Sequence, residues 1–209
     1  MILFVHGWGY DAGFWDPLRG EIGDLASAAL DLGFFGSLDE AIPDGVTMLV
    51  GHSLGFLWLA RQPALTHLPL IGINAFPRFL ESDEYRPAIG LRVLERMRRR
   101  LLADAGDMLG EFWARAGTRG PDKTADTSAL ANGLDRLATW DERANLAARA
   151  SPVHLIAGGQ DAIVPADMTR MAFEHSVIFW LPEGGHALPR THPTDLAALM
   201  RAFAQVWRR

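Results

Sequence analysis

The stretch Val46-Thr47-Met48-Leu49-Val50-Gly51-His52-Ser53-Leu54-Gly55 decides how this chain folds. Five strand-forming residues run straight into a Gly-x-Ser-x-Gly turn, which reads as a buried strand, a sharp corner carrying a serine, and then a helix. The spacing has a mechanical cause. The corner holds Ser53 in a strained backbone conformation, and glycines two residues to either side let strand and helix pass closely. The serine oxygen is thereby pushed out at the carboxyl edge of a sheet. Five residues match such a pattern by chance, so the reading requires a base, an acid and an oxyanion hole in matching order.

Working outward, short β-rich runs alternate with helical patterns. Strands are predicted at 2–5, 28–32, 46–50, 70–73, 153–157 and 177–181, and helices at 14–27, 54–62, 166–175 and 194–207. This alternation predicts an α/β fold, a mostly parallel sheet of about six strands with helices on both faces. The rhythm breaks between Phe76 and Arg149, where the chain reads as helix and loop. An inserted helical cap at 77–149 is therefore expected on a core of 1–76 and 150–209, with cap helices at 86–105, 107–116 and 128–137. Leu91, Leu94, Met97, Leu101 and Leu102 share one helical face that should pack downward, opposite Arg92, Arg96, Arg99 and Arg100. Those arginines form either a solvated face or a docking patch for an acidic partner, in a chain whose net charge is −5.

Composition narrows the function classes. A chain of 209 residues, 49% hydrophobic and 22% charged, suits one globular domain and argues against disorder. No apolar run approaches the ~20 residues of a membrane helix, and the amino terminus reads as a strand rather than a secretory signal. The acidic balance speaks against nucleic acid as a partner. With no cysteine present, disulfides, thiolate catalysis and cysteine-ligated metals drop out. A cytoplasmic protein is the expectation, as a monomer or weak dimer.

A serine hydroxyl needs a positioned base to take its proton as it attacks. Of seven histidines, His186 stands apart, because it follows the last predicted strand in the loop Pro182-Glu183-Gly184-Gly185-His186. Its imidazole needs an acid to hold the tautomer and stabilise the imidazolium. Asp161, in Gly158-Gly159-Gln160-Asp161 after the preceding strand, supplies one; the competing position at the end of strand 70–73 is Asn74, which cannot carry the charge. The order Ser53, Asp161, His186 is that of an α/β-hydrolase triad. The oxyanion donors should be the amide of Leu54, at a helix amino terminus, and that of Trp8, in the loop His6-Gly7-Trp8-Gly9. His6 and His52 are expected to brace and pack. No metal-ligand spacing and no nucleotide-binding loop is present, so neither metal nor cofactor is expected.

Together His6-Gly7-Trp8-Gly9, Gly51 to Gly55, Gly159 to Pro165 and Gly185-His186-Ala187 resemble the α/β-hydrolase fold superfamily over nearly the whole chain. Within it the chain looks most like the pimeloyl-[acyl-carrier protein] methyl ester esterases of biotin synthesis, through Ala75-Phe76-Pro77-Arg78-Phe79, Glu111-Phe112-Trp113-Ala114-Arg115, Gly133 to Leu137 and Asp141-Glu142-Arg143. The resemblance implies hydrolysis of the methyl ester on a pimeloyl chain tethered to acyl carrier protein. It also implies an acyl channel lined by Trp8, Phe112, Trp113, Ala114, Arg115 and Ala116, and gives the cap arginines an acidic partner. There are departures. The strand hairpin that normally precedes the first strand is missing, Phe56 stands where a small glycine usually follows the elbow, and Asp107 and Glu111 lie where the resemblance leads one to expect arginines. Two other readings stay open: a general carboxylesterase or lactonase using the same residues, and a non-catalytic hydrolase-fold binding protein.

Overall fold

The computed structural model describes residues 1–206, so Trp207, placed by the sequence in the last helix, lies outside the described residues. Six strands form one parallel sheet: β1 (Ile2–Val5), β2 (Ser27–Leu30), β3 (Met48–His52), β4 (Leu70–Ile73), β5 (Val153–Gly158) and β6 (Ile178–Leu181), in the order β2-β1-β3-β4-β5-β6. β1, β3 and β4 are buried throughout, as strands covered on both faces must be, and their sequences accordingly run apolar without alternation. The helices are α1 (Asp16–Ile22), α2 (Leu54–Ala60), α3 (Leu91–Ala103), α4 (Ala105–Arg115), α5 (Thr127–Thr139), α6 (Arg143–Ala147), α7 (Ala166–Ala172), α8 (Leu188–Thr191) and α9 (Pro193–Val206).

The strand order itself places the site. From β1 the chain crosses through α1 to β2 on one side, whereas from β3 it crosses through α2 to β4 on the other. Because parallel crossovers are right-handed, α1 and α2 must lie on opposite faces. The direction reverses between β1 and β3, and ligands in open parallel sheets bind at such a reversal, outside the carboxyl ends of the strands. The loop after β1 and the turn after β3 flank it. Residues 74–152, between β4 and β5, carry α3 to α6, with α3 packed on α4 and α5.

Several expectations require correction. The first helix does not span 14–27: a 3₁₀ turn at Ala12–Trp15 precedes a short α1, and Ser27 already belongs to β2. Gly23, at φ 34°, ends α1, and the pairing of Ser27 with Ile2 of β1 takes the last residue of the expected helix into the strand. Among the described residues β2 is a sheet edge, as expected, and Arg19 lies along it, donating to the carbonyl of Ser27 at 3.4 Å. The helix predicted at 86–105 begins only at Leu91. Of its apolar face, Leu94 and Leu101 are buried, but Leu91 and Leu102 are 51% and 62% exposed. They sit near the two ends of α3.

The departure at Phe56 is absorbed by its neighbours. Gly72 on β4 carries no side chain where the ring lies, since a Cβ there would stand 2.8 Å from the Phe56 ring. Phe173 meets the ring edge-on at 6.1 Å between centroids. A second small residue on the neighbouring strand does what a glycine after the elbow would otherwise do.

Candidate active site

Ser53 sits at φ 53°, ψ −120°, between β3 and α2. This left-handed region is costly for a residue with a side chain, and such strain concentrates at functional turns. The two flanking glycines are steric necessities: a Cβ on Gly51 would lie 2.5 Å from the Phe56 Cα, and one on Gly55 would lie 2.1 Å from the carbonyl oxygen of Val5. Gly55→Ala should therefore force backbone apart at the centre of the sheet. We expect a loss of about 3 kcal/mol or more in urea unfolding, the upper end for an overpacked core; a change below about 1 kcal/mol would contradict the geometry.

Asp161 and His186 come together from the loops after β5 and β6. His186 Nδ1 lies 2.7 Å from Asp161 Oδ2, and both side chains are 1% exposed. Asp161 Oδ1 accepts the backbone N–H groups of Ile163 and Val164 at 2.7 and 2.8 Å. These bonds fix the carboxylate and leave its second oxygen for the imidazole. A buried charge without such partners would be expensive. The acceptor-only carboxylate requires the proton on Nδ1 of a neutral His186, which leaves Nε2 with a free lone pair.

Ser53 lines a cavity of about 330 Å³ roofed by the insert, together with Trp8, Phe79, Met97, Met108, Phe112 and Leu137. Trp8 is fixed by its indole N–H, which donates to the Leu130 carbonyl at 2.8 Å, and meets Phe112 edge-on at 4.9 Å. Leu54 occupies the first position of α2, where a backbone N–H has no acceptor within the helix. From α3, Val93, Met97, Arg96 and Arg100 enter the lining, as their three- and four-residue spacing requires.

The expected channel segment 112–116 contributes only in part. Phe112 and Arg115 line the cavity, while Trp113, Ala114 and Ala116 do not. On a helix, 113 and 114 are turned away from the face shared by 112 and 115. Trp113 instead donates its indole N–H to the Gly9 carbonyl at 2.8 Å, Ala114 is exposed, and Ala116 is buried with its carbonyl toward the Ala187 N–H. Nothing local marks Phe79, Met108 and Leu137 as lining residues, because they reach the cavity from a loop and two separate helices that only tertiary packing brings together.

The arginines of α3 divide. Arg92 and Arg99 are exposed and have no ion-pair partner among the described residues. Arg96 borders the cavity. Arg100 borders it too, but it is held by Asp107, at 2.8 Å, and by Glu111. The acids that departed from the resemblance are thus spent on an arginine of the same chain.

The two bracing histidines behave differently. His6 Nε2 accepts the Leu32 N–H at 3.0 Å, so its Nδ1–H donates to the Gly7 carbonyl at 2.9 Å. His52 is fully buried, and its Nε2–H donates to the carbonyl of His186 at 2.9 Å. Burial above all, and then the proximity of His186, holds its pKa well below the ordinary histidine value, so it is a neutral ring.

The fold and this constellation define an α/β-hydrolase. The pattern of the alpha/beta hydrolase family matches residues 2–199, and the chain belongs to that family. Among curated relatives, pimeloyl-[acyl-carrier protein] methyl ester esterases are similar to it: that of Legionella pneumophila is 30% identical, covering 79% of this chain and 77% of its own. That of Xanthomonas campestris pv. campestris is 29% identical, covering 97% and 94%. Among solved structures, an esterase from Exiguobacterium antarcticum superimposes with a TM-score of 0.83 over 98% of this chain and 91% of its own, at 16% identity. Among the described residues, no helix is long and apolar enough to cross a membrane, and no cluster of ligating side chains could hold a metal ion.

Proposed function

We propose that this chain is a serine carboxylic-ester hydrolase that cleaves the methyl ester of a pimeloyl chain carried on acyl carrier protein, with residues 77–149 acting as a cap over a core of 1–76 and 150–209. The observation that carries the reading is the buried His186–Asp161 pair at 2.7 Å, together with Ser53 in the lining of a mostly apolar cavity. His186 takes the Ser53 proton on Nε2 as Oγ attacks the ester carbonyl. Asp161 holds the tautomer and stabilises the imidazolium. The amides of Leu54 and Trp8 receive the oxyanion, each contributing about 10²–10³ in rate. The imidazolium then protonates the departing methoxide as methanol, and water, activated by the same base, releases the acid from the acyl-enzyme.

The substrate assignment draws on the names of the similar esterases and on the cavity. At about 330 Å³ it is at the small end for ligand sites, which suits one unbranched acyl chain. In this reading the cap arginines Arg92, Arg96, Arg99 and Arg100 meet the acidic carrier. A second reading, a general carboxylesterase or lactonase for free esters, is favoured by the pairing of Arg100 with Asp107 and Glu111, which neutralises one of the four cations.

Hydrolysis of the carrier-protein methyl ester against short p-nitrophenyl esters separates the two, as does rescue of a biotin-requiring strain that lacks its own esterase. Arg92→Glu with Arg99→Glu should lower kcat/KM for the carrier-protein ester about tenfold, mostly through encounter rate, and added salt should shrink the difference. The p-nitrophenyl ester rate should stay within about twofold on the same basis. Equal rates on the carrier ester for wild type and variant would remove the docking patch from the proposal, and failure to rescue would remove the biotin assignment.

A further inference from the structure

The carbonyl oxygen of His186 is held by side chains from two other segments, the nucleophile turn and the loop after β4. It accepts the Nδ2–H of Asn74 at 2.7 Å and the Nε2–H of His52 at 2.9 Å. Asn74 also donates to the Gly185 carbonyl at 3.0 Å, while its own Oδ1 accepts the N–H of Gly158 at 2.8 Å. One amide side chain thus joins the end of β5, from which the loop carrying Asp161 departs, to the loop that carries His186. One imidazole, adjacent in sequence to Ser53, joins the nucleophile turn to the same loop. Asn74 is 1% exposed and His52 wholly buried.

We infer that Asn74 and His52 are positioning residues, which set the orientation of His186 toward Asp161 and Ser53 by clamping the His186 carbonyl. The inference rests on the triad roles proposed above. Residues 182–187 form neither strand nor helix, so no ladder fixes the peptide plane next to the His186 Cα. Two buried donors on that carbonyl do so, with the longer Ala187 N–H to Ala116 carbonyl bond at 3.3 Å on the opposite edge of the same peptide, and the imidazole is then left with only its two side-chain torsions. The backbone at Asn74 supports a role for its amide. At φ 47° it lies in the left-handed region, where a glycine would sit without penalty. What asparagine adds there is a side chain, and every polar atom of that side chain is directed at a triad loop. His52 adds a donor that does not change with pH in the working range, since its burial keeps it neutral.

The test separates positioning from folding. Asn74→Gly keeps the backbone conformation and deletes the clamp; Asn74→Asp keeps the shape but sets acceptors against two carbonyls. Both should slow labelling of Ser53 by a fluorophosphonate by about tenfold or more, because small misplacements of a reacting group cost up to about 10²-fold. Both should also move or broaden the proton NMR signal of the hydrogen-bonded His186 Nδ1–H, a readout that does not depend on any substrate. His52→Gln, which keeps a donor nitrogen, should retain more of the labelling rate than His52→Leu, which does not. Folded Asn74 variants with wild-type labelling rate and an unmoved Nδ1–H signal would overturn the inference. If they fail to fold, the His52 pair decides, and equal rates for the glutamine and leucine variants would overturn it. Absence of labelling in the wild type would instead sink the triad reading on which it rests.

Discussion

Ser53→Ala should abolish ester hydrolysis, lowering kcat by roughly 10⁶, as removal of the nucleophile does in serine hydrolases. The alanine leaves the strained turn, the cavity and the His186–Asp161 pair in place, so the protein should fold and still bind substrate. What disappears is the acyl-enzyme, and with it the division of one hard step into two easier ones. Activity remaining would be the roughly 10³–10⁴ over water that oxyanion donors and binding supply by themselves. Turnover of a short p-nitrophenyl ester and the mass of the fluorophosphonate-treated protein are the measurements. More than a hundredth of wild-type turnover, or an adduct on the variant, would place the nucleophile elsewhere.

Asp161→Asn should lower kcat by roughly 10⁴ while leaving the fold intact. The asparagine Oδ1 can keep the bonds from the Ile163 and Val164 N–H groups, so the loop retains its shape. The other atom changes sign: an NH₂ now faces His186 Nδ1, where a carboxylate oxygen stood at 2.7 Å. A donor at that place forces Nδ1 to accept, which puts the ring proton on Nε2. His186 then presents a hydrogen where it needs a lone pair and cannot take the Ser53 proton. The loss should fall on kcat with KM little changed, because the cavity lining does not include this carboxylate. A tenfold loss or less would mean that His186 is oriented chiefly by other contacts, and would point to the carbonyl clamp formed by Asn74 and His52.

The elbow, the strand–helix alternation and the order of serine, aspartate and histidine were legible because each is local or depends only on connectivity. Apolar runs of four or five residues make strands, glycines at fixed spacing make the corner, and right-handed crossovers leave one place for loops after β1 and β3 to meet. The helix expected at 14–27 failed for the opposite reason. Its last residue, Ser27, pairs with Ile2 of β1, and that pairing is set by a strand more than twenty residues earlier in the chain. Asn74 shows the same limit at a single residue. Read along the chain, it is a position unable to carry a charge; folded, its amide spans two loops more than eighty residues away.

Local sequence is enough to specify the sheet, the turn that lifts Ser53, and the two later loops that hold Asp161 and His186, since backbone sterics and hydrophobic period are written into neighbouring residues. Long-range packing sets which side chains line the cavity, the pairing of Arg100 with Asp107 and Glu111, and the bonds from Asn74 and His52 to the His186 carbonyl. Those outcomes depend on how each helix is rotated about its axis and where each loop lands, and both are set by packing between residues far apart in the chain.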